Sequence, residues 1–307
     1  MKYDSDIYVV GDLHGNLHAY YENLRFFDII DDNGNWQGGD SKLIFLGDIL
    51  ADRHENGFQI LNQIEKLKHQ ARKCGGDVVL IFGNHDYKFI LFVCTDISFN
   101  MYKTSFSGLL ELRKFAGEGY RNENDFEKLR KDQINIQKNI INKQSGKELL
   151  KTIFEMKLVH RENDILFIHT NPTYEILQNI YEESLEKINE DFQKGVSKLF
   201  CKNYDNNDQE VSRFFELAIM YLILNRRESI PEYEKGGIYD ALHSLGINYI
   251  INGHNGYGGT VDKRGKINII DIDYSFGKFE GIAETQRSVA LIKKDGQIYL
   301  GSKSIKI

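Results

Sequence analysis

The sequence predicts an α/β domain built around parallel strands, and two observations support that prediction. Short apolar runs alternate with longer segments in which apolar residues recur at every third or fourth position, as on one face of a helix. The first three apolar runs each end in a glycine followed directly by polar residues, at Gly11-Asp12, Gly47-Asp48 and Gly83-Asn84. Because parallel strands in such folds end at one edge of the sheet, we expect these polar residues to lie together there.

The individual elements follow from the same periodicities. Strands are predicted in the apolar run from Ile7 and at Lys42–Leu46, Asp77–Phe82, Asp164–Ile168 and Asn248–Ile251. Helices are predicted at Leu17–Ile30, Gly57–Arg72, Glu175–Phe200, Val211–Leu224 and Tyr239–Leu245. The last apolar runs alternate with glycine-containing turns, which predicts an antiparallel sheet that completes the fold, at Ile267–Ile272, Ser288–Ile292 and Gln297–Leu300.

A helical insert is predicted at about residues 98–160. Its Glu123–Lys151 portion is dense in Lys, Glu, Asn and Gln, which predicts one or two exposed helices, in a hairpin broken near Ser145-Gly146. The simplest interpretation is a solvated helical cover, and the alternative is a module that binds a protein partner. Since connections of this length usually have a function of their own, we expect the insert to flank the site and to influence the choice of substrate or partner.

Length and composition limit the possible classes of protein. A chain of 307 residues can form one large α/β domain, and without an evident linker or repeat we expect a single domain over residues 1–307. The net charge of -6 argues against a stable nucleic-acid partner, which usually requires a basic surface. Three scattered cysteines and the lack of a long apolar segment predict a cytoplasmic chain without membrane association, with export as an effector left open.

Ligand-type side chains follow five of the predicted strands. They are Asp12 and His14, Asp48, Asn84 and His85, His169, and His254. A set of carboxylate, amide and imidazole groups without thiolate suits two first-row divalent ions better than a structural zinc. Such a pair, sharing one carboxylate, can activate water for attack on phosphorus. Arg53 and Arg226 are then candidates for binding phosphate, and His85 for protonating the leaving oxygen.

Five motifs in this chain resemble, in order, the signatures of the calcineurin-like metallophosphoesterases. They are G-D-L-H-G from Gly11, G-D-I-L-A-D-R from Gly47, G-N-H-D from Gly83, L-F-I-H-T from Leu166 and N-G-H-N from Asn252. Within that superfamily the chain looks like the phosphoprotein-phosphatase branch, which includes bacterial protein phosphatases and diadenosine tetraphosphatases. The resemblance implies an α/β fold, a β-sandwich of two mixed sheets flanked by helices, with an inserted helical segment.

The resemblance also implies a role for each matching residue. Asp12 and His14 would bind a first metal ion, Asp48 would bridge both ions, and Asn84, His169 and His254 would bind the second. His85 would be the general acid, oriented by Asp52. Arg53 would bind phosphate together with Arg226, or with Arg227 in its place. Two divalent ions are implied, with Mn²⁺ favoured and Fe or Zn as alternatives.

The chain departs from the family pattern in three places. One extra residue separates Asp48 from Asp52, and His54 stands where glycine is usual, so the assignments of Asp52 and Arg53 are weaker than those of the ligands. The fourth motif continues as His169-Thr170-Asn171 in place of two small residues. Gly256 stands where the wider superfamily often has a second histidine, which favours the phosphoprotein-phosphatase branch.

The function implied is that of a two-metal phosphomonoesterase, a protein phosphatase for phosphoserine, phosphothreonine or phosphotyrosine. A hydroxide bridging the metals would attack phosphorus in line. The first alternative is a nucleotide hydrolase or phosphodiesterase, for diadenosine tetraphosphate or 2′,3′-cyclic nucleotides. The second is an inactive scaffold that binds a partner through the helical insert. The expected partner is a phosphorylated protein or peptide.

Overall fold

The chain forms two mixed β-sheets flanked by helices, as predicted for the fold class. The computed structural model describes residues 2–50, 54–94, 112, 131–201, 207–223, 232–255, 258–273, 287–301 and 303–304. The strands are β1 (Ile7–Val10), β2 (Lys42–Phe45), β3 (Asp77–Leu80), β4 (Val159–Glu162), β5 (Ile165–Ile168), β6 (Tyr249–Asn252), β7 (Thr260–Arg264), β8 (Ile267–Asp271), β9 (Val289–Ile292), β10 (Ile298–Leu300) and β11 (Lys303–Ser304). The helices are α1 (Leu17–Phe26), α2 (Gly57–Lys73), α3 (Asn84–Cys94), α4 (Gln133–Asn142), α5 (Gln144–Phe154), α6 (Tyr174–Glu182), α7 (Leu185–Cys201), α8 (Gln209–Ala218), a π-helical turn (Ile219–Ile223) and α9 (Glu232–Ser244).

The first sheet has the order β11-β10-β9-β1-β2-β3, and the second has the order β4-β5-β6-β8-β7. Strands β1, β2 and β3 are parallel, as are β5, β6 and β8, and the antiparallel strands lie outside each parallel set. In each parallel set the carboxyl ends therefore share one edge, which is where the predicted loops lie.

Alternating side chains of the parallel strands divide between two cores. On β1, Ile7 and Val9 pack into a cluster that also contains Ile165 and Phe167 of β5, and this cluster joins the two sheets. Tyr8 belongs to the larger cluster in which the sheets meet the helices. Every side chain of β1 is buried, which explains why the strand reads as a continuous apolar run.

Side-chain caps fix the beginnings of three helices. The Asn16 carboxamide oxygen accepts a hydrogen bond from the Ala19 backbone N–H at 3.1 Å and begins α1 directly after the first polar loop. Thr173 caps α6 and Asp208 caps α8 in the same way. Because Ser, Thr, Asp and Asn satisfy the free N–H groups of the first turn, these residues set where each helix starts.

The final apolar runs do not form one antiparallel sheet, and that prediction is wrong. Strand β8 pairs with β6 in parallel inside the second sheet, whereas β9 and β10 join the first sheet beside β1. The predicted helix Glu175–Phe200 is likewise two helices, because Glu183 is extended between α6 and α7. Helix α8 continues into the π-helical turn rather than as α-helix.

The described part of the insert is half buried rather than an exposed cover. Helices α4 and α5 place one apolar face in the main core, through Ile136, Ile140, Leu149, Leu150 and Ile153. The chain breaks at Lys143 and not at Ser145-Gly146. Gly146 lies inside α5, where a Cβ atom would come within 1.9 Å of the Ile140 carbonyl oxygen, so glycine allows the two helices to pack closely.

None of the helices among the described residues combines the length and the apolar character needed to span a bilayer.

Candidate metal centre

Four strand ends bring five of the predicted ligands to one place. Asp12 and His14 follow β1, Asp48 follows β2, His169 follows β5, and His254 follows β6. The first four of these side chains are each only 1% exposed, while His254 is partly buried. A polar cluster buried this deeply requires compensating partners or bound cations.

A first group of four candidate ligands surrounds His169. Ligand atoms of Asp12, Asp48, His169 and His254 all lie within 4.8 Å of one another. The His169 Nε2 atom lies 3.5 Å from Asp48 Oδ1 and 3.2 Å from His254 Nδ1. The His169 Nδ1 atom lies 2.7 Å from the Leu46 carbonyl oxygen and donates to it, which leaves Nε2 free to act as the ligand.

A second group consists of His14, Asp48 and His85. The His14 Nε2 atom lies 3.7 Å from Asp48 Oδ2 and 3.6 Å from Asp12 Oδ2. The His85 Nε2 atom lies 4.0 Å from Asp48 Oδ2, and the rings of His14 and His85 meet edge to face with centroids 4.9 Å apart. Asp48 is thus the carboxylate common to both groups.

Asn84 joins the first group from the start of α3. Its carboxamide oxygen lies 3.0 Å from His169 Nε2. The next residue, His85, donates its backbone N–H to Asp48 Oδ1 at 2.8 Å. The third strand-end loop is therefore tied to the carboxylate that the second loop supplies.

The electrostatics of the cluster favour a charged carboxylate beside neutral and charged imidazoles. Burial alone raises the pKa of Asp48, but the facing imidazoles, above all that of His169, bring it well below its usual range. Burial lowers the pKa of His169, yet the carboxylates of Asp48 and Asp12 raise it overall. Burial and the neighbouring His169 lower the pKa of His254 to about 4, so its ring is neutral near pH 7 and available as a ligand.

Backbone strain concentrates at the same residues. His14, Asp48 and His254 have φ values of 46°, 48° and 74°, in the left-handed region that side chains rarely occupy. Glycine at position 83 allows the loop after β3 to pack directly against the loop after β2. A Cβ atom at Gly83 would lie 2.1 Å from the Asp48 backbone nitrogen. Strain of this kind persists only where the surroundings enforce it, and it is common at functional sites.

Asp86 is a site residue that the sequence analysis missed. Its fully buried carboxylate accepts hydrogen bonds from the backbone N–H groups of Leu50 and Gly83, both at 2.9 Å. It thereby joins the loops after β2 and β3. Its sequence signal was its place as the last residue of the G-N-H-D motif.

The residues fit divalent cations. The donor set is carboxylate, amide and imidazole, which suits first-row divalent ions. Within the described residues, the buried Oδ2 atom of Asp12 has no hydrogen-bond partner, although it lies 3.6 Å from His14 Nε2. A cation would satisfy this oxygen, whose burial is otherwise costly.

Four predicted site residues cannot be placed. Asp52, Arg53, Arg226 and the alternative Arg227 all lie outside the described residues. Their assigned roles therefore stay predictions.

Comparison with known proteins places this site in a family. Residues 5–256 match the model of the family described as calcineurin-like phosphoesterase. The chain belongs to the calcineurin-like phosphoesterase family. The match includes all five motifs and begins just before β1. Family membership and the two ligand groups together support a divalent metal centre.

Two curated relatives of this calcineurin-like phosphoesterase match over a short stretch. Shewanella-like protein phosphatase 2 of Arabidopsis thaliana is 38% identical over 77 residues, which is 25% of this chain and 19% of that protein. Shewanella-like protein phosphatase 1 of Plasmodium berghei (strain Anka) is 36% identical over 86 residues, 28% of this chain and 24% of that protein. The chain thus aligns with only about a fifth to a quarter of each relative's length.

Solved structures share the fold over nearly the whole chain. The cold-active protein-tyrosine phosphatase of a psychrophilic Shewanella species has a TM-score of 0.62 at 20% identity, covering 97% of this chain and 78% of its own. A second structure of a cold-active protein tyrosine phosphatase gives 0.61 at 21% identity, covering 97% and 77%. At these identities the likeness establishes the shared fold.

Proposed function

We propose that this chain is a two-metal phosphomonoesterase that removes phosphate from phosphoproteins. The observation that carries the proposal is Asp48, a buried carboxylate common to two groups of metal-ligand side chains. Two relatives that match part of the chain are named protein phosphatases, and a structure of the same fold is titled a protein-tyrosine phosphatase. The proposed substrate is accordingly a phosphorylated serine, threonine or tyrosine in a protein or peptide.

We assign the ligands as the family resemblance implies. Asp12 and His14 would hold the first ion, and Asp48 would be shared by both. Asn84, His169 and His254 would hold the second. The distances support this division in part, because His14 lies beside both aspartates and His169 lies beside Asn84 and His254. We propose Mn²⁺ as the native ion, since a mixed oxygen and nitrogen donor set without thiolate suits it.

When bound, the ions would acidify water and neutralise charge on the phosphoryl oxygens. The side chains of the protein supply the rest. Asp48 keeps its negative charge because of the surrounding imidazoles, and its position is fixed by the His85 backbone N–H. His85 is less deeply buried than His14 and Asp48, with its side chain 12% exposed against 1% for each of theirs, so it can face the substrate and protonate the leaving oxygen.

Arg53 and Arg226 are proposed to bind the phosphoryl group, since a guanidinium can contact two phosphate oxygens at once. Asp52 is proposed to orient His85. For the compartment, we propose the cytoplasm, because the free thiols of Cys74 and Cys94 suit a reducing environment.

A substrate panel tests the proposal. The purified chain is loaded with Mn²⁺ and assayed with phosphoserine, phosphothreonine and phosphotyrosine peptides, and in parallel with diadenosine tetraphosphate and 2′,3′-cyclic AMP. We expect kcat/KM for at least one phosphopeptide to exceed that for either nucleotide by tenfold or more, with about two metal ions bound per chain. Faster turnover of a nucleotide would contradict the proposed substrate. If the metal-loaded protein turned over none of these substrates, the proposal that the chain is a phosphomonoesterase would be wrong.

A further inference from the structure

The loop that follows β5 carries a second polar residue with well-defined partners. Two residues after His169, the carboxamide oxygen of Asn171 accepts hydrogen bonds from two other carboxamides. Asn252 donates at 3.1 Å and Asn255 donates at 2.6 Å. Asn171 stands in the motif where the chain departs from the small residues usual in the family.

The carboxamide nitrogen of each donor makes a second hydrogen bond. Besides Asn171, the Asn252 carboxamide nitrogen donates to the Gly253 carbonyl oxygen at 3.1 Å. The Asn255 carboxamide nitrogen donates also to Asp271 Oδ2 at 2.8 Å. Both hydrogens of each amide are therefore used, and both amides share the Asn171 oxygen. This oxygen therefore joins the loops after β5 and β6 through side chains, beside the backbone hydrogen bond that Gly253 donates to the His169 carbonyl oxygen at 3.0 Å.

His254 lies between those two donors in the sequence. Its backbone is left-handed, with φ of 74°, and its N–H donates to Asp12 Oδ1 at 3.2 Å. Such a conformation persists only where the surrounding structure enforces it. Asn255 follows His254 directly and Asn252 precedes it by two positions, and the side chain of each donates to Asn171.

We propose that Asn171 is a positioning residue that holds His254 in the geometry required to bind the second ion. The inference rests on the proposed function, in which His254 and His169 bind one ion. Asn171 links these two ligands because it lies two residues after His169 along the chain and accepts hydrogen bonds from the loop that carries His254. Loss of a partner that orients a metal ligand typically weakens metal binding 10- to 100-fold.

The chain offers a matched control in Asn189. Its carboxamide oxygen also accepts two N–H groups, from Leu158 at 2.8 Å and Val159 at 3.3 Å. Both asparagines are partly buried. Asn189, however, serves helix α7 and strand β4 rather than the metal centre. Replacing either asparagine with alanine removes a carboxamide whose oxygen accepts two hydrogen bonds. Only the Asn171 carboxamide contacts the residues that flank His254.

The experiment measures Mn²⁺ binding by calorimetry for the full chain and for the Asn171→Ala, Asn255→Ala, double and Asn189→Ala variants. Thermal unfolding in EDTA reports stability separately. We expect Asn171→Ala to weaken the binding of one Mn²⁺ ion 10- to 100-fold and to change the affinity for the other by no more than about threefold. The loss in the double variant should be smaller than the sum of the two single losses, because the hydrogen bond between Asn171 and Asn255 is removed by either change alone.

Asn189→Ala should lower the melting temperature of the metal-free protein while leaving both Mn²⁺ affinities unchanged. Wild-type affinity for both ions in Asn171→Ala would overturn the proposal, as would an equal loss in Asn189→Ala or additive losses in the double variant. Binding of fewer than two ions by the wild-type chain would instead overturn the proposed function, and this inference with it.

Discussion

Asp86 offers a prediction whose size follows from its hydrogen bonds. Replacing it with alanine leaves the N–H groups of Leu50 and Gly83 buried without their acceptor. A buried donor that loses its partner costs about 1–3 kcal/mol, so Asp86→Ala should lower the free energy of unfolding by about 2–6 kcal/mol. Asp86→Asn keeps one accepting oxygen and should lose about half of that. The measurement is urea unfolding followed by circular dichroism, in EDTA so that metal binding does not contribute.

The same residue predicts a dependence on pH. Burial, and then the charge of Asp48, raises the pKa of Asp86 to about 7. The folded state therefore holds this proton more tightly than the unfolded state, in which the pKa is about 3.9. The stability contributed by Asp86 is complete below pH 4 and is lost as pH rises toward 7. Asp86→Asn should thus flatten the fall in stability of the metal-free protein between about pH 4 and pH 7.

Asp77→Asn serves as the control for both measurements. Asp77 lies on β3, and its partly exposed carboxylate pairs with Arg72 at 3.1 Å. Exposed pairs contribute about 0–1 kcal/mol, so this change should be small. A loss below 1 kcal/mol in Asp86→Ala, or an unchanged pH profile in Asp86→Asn, would refute the argument that this carboxylate joins the two loops.

Three further predictions concern packing and catalysis. Gly83→Ala places a Cβ atom against the Asp48 backbone and should weaken Mn²⁺ binding at least tenfold by calorimetry, whereas Gly237→Ala, with open space around it, should not. Leu150→Ala should destabilise the protein by about 2–5 kcal/mol in urea, because α5 belongs to the core, and a loss below 1 kcal/mol would contradict that placement. His85→Asn should lower turnover of alkyl phosphates about 10²–10⁴-fold, and of aryl phosphates less, with metal content near two. If His85→Asn instead lost a metal ion, His85 would be a metal ligand and not the general acid.

The strand-end loops were predictable because their signal is local. A buried strand of a parallel sheet is apolar along its whole length, and the turn after it needs glycine at positions such as Gly47, where φ is 100°. The polar residues that follow were therefore visible in the sequence. Parallel pairing of β1, β2 and β3 then brings their ends together without further information.

The insert was misjudged because composition conceals a buried face. Glu123–Lys151 is mostly polar, yet most of the few apolar residues of α4 and α5 fall on one side of each helix and pack into the core. Gly146 was taken for a break. Glycine also occurs where two backbones approach closely, and its sequence context does not separate the two cases.

Partners distant in sequence explain the remaining errors. A two-residue period identifies β8, but it does not reveal that β8 pairs with β6 rather than with the strands that follow it. Asp86 and Asn171 were missed as organising residues for the same reason. Asp86 accepts a hydrogen bond from Leu50, and Asn171 accepts one from Asn252. Local sequence patterns do not predict contacts between residues so far apart in the chain.

The central claim is that Asp48 is shared by two metal ions that are needed for phosphate hydrolysis. The most direct test measures metal content by mass spectrometry and phosphopeptide turnover for Asp48→Asn, with His243→Ala as a control within α9, away from the five strand ends. The shared carboxylate loses its charge, so Asp48→Asn should bind both ions more weakly and should show no measurable turnover, while His243→Ala behaves as wild type. Two bound ions with wild-type turnover in Asp48→Asn would contradict the account.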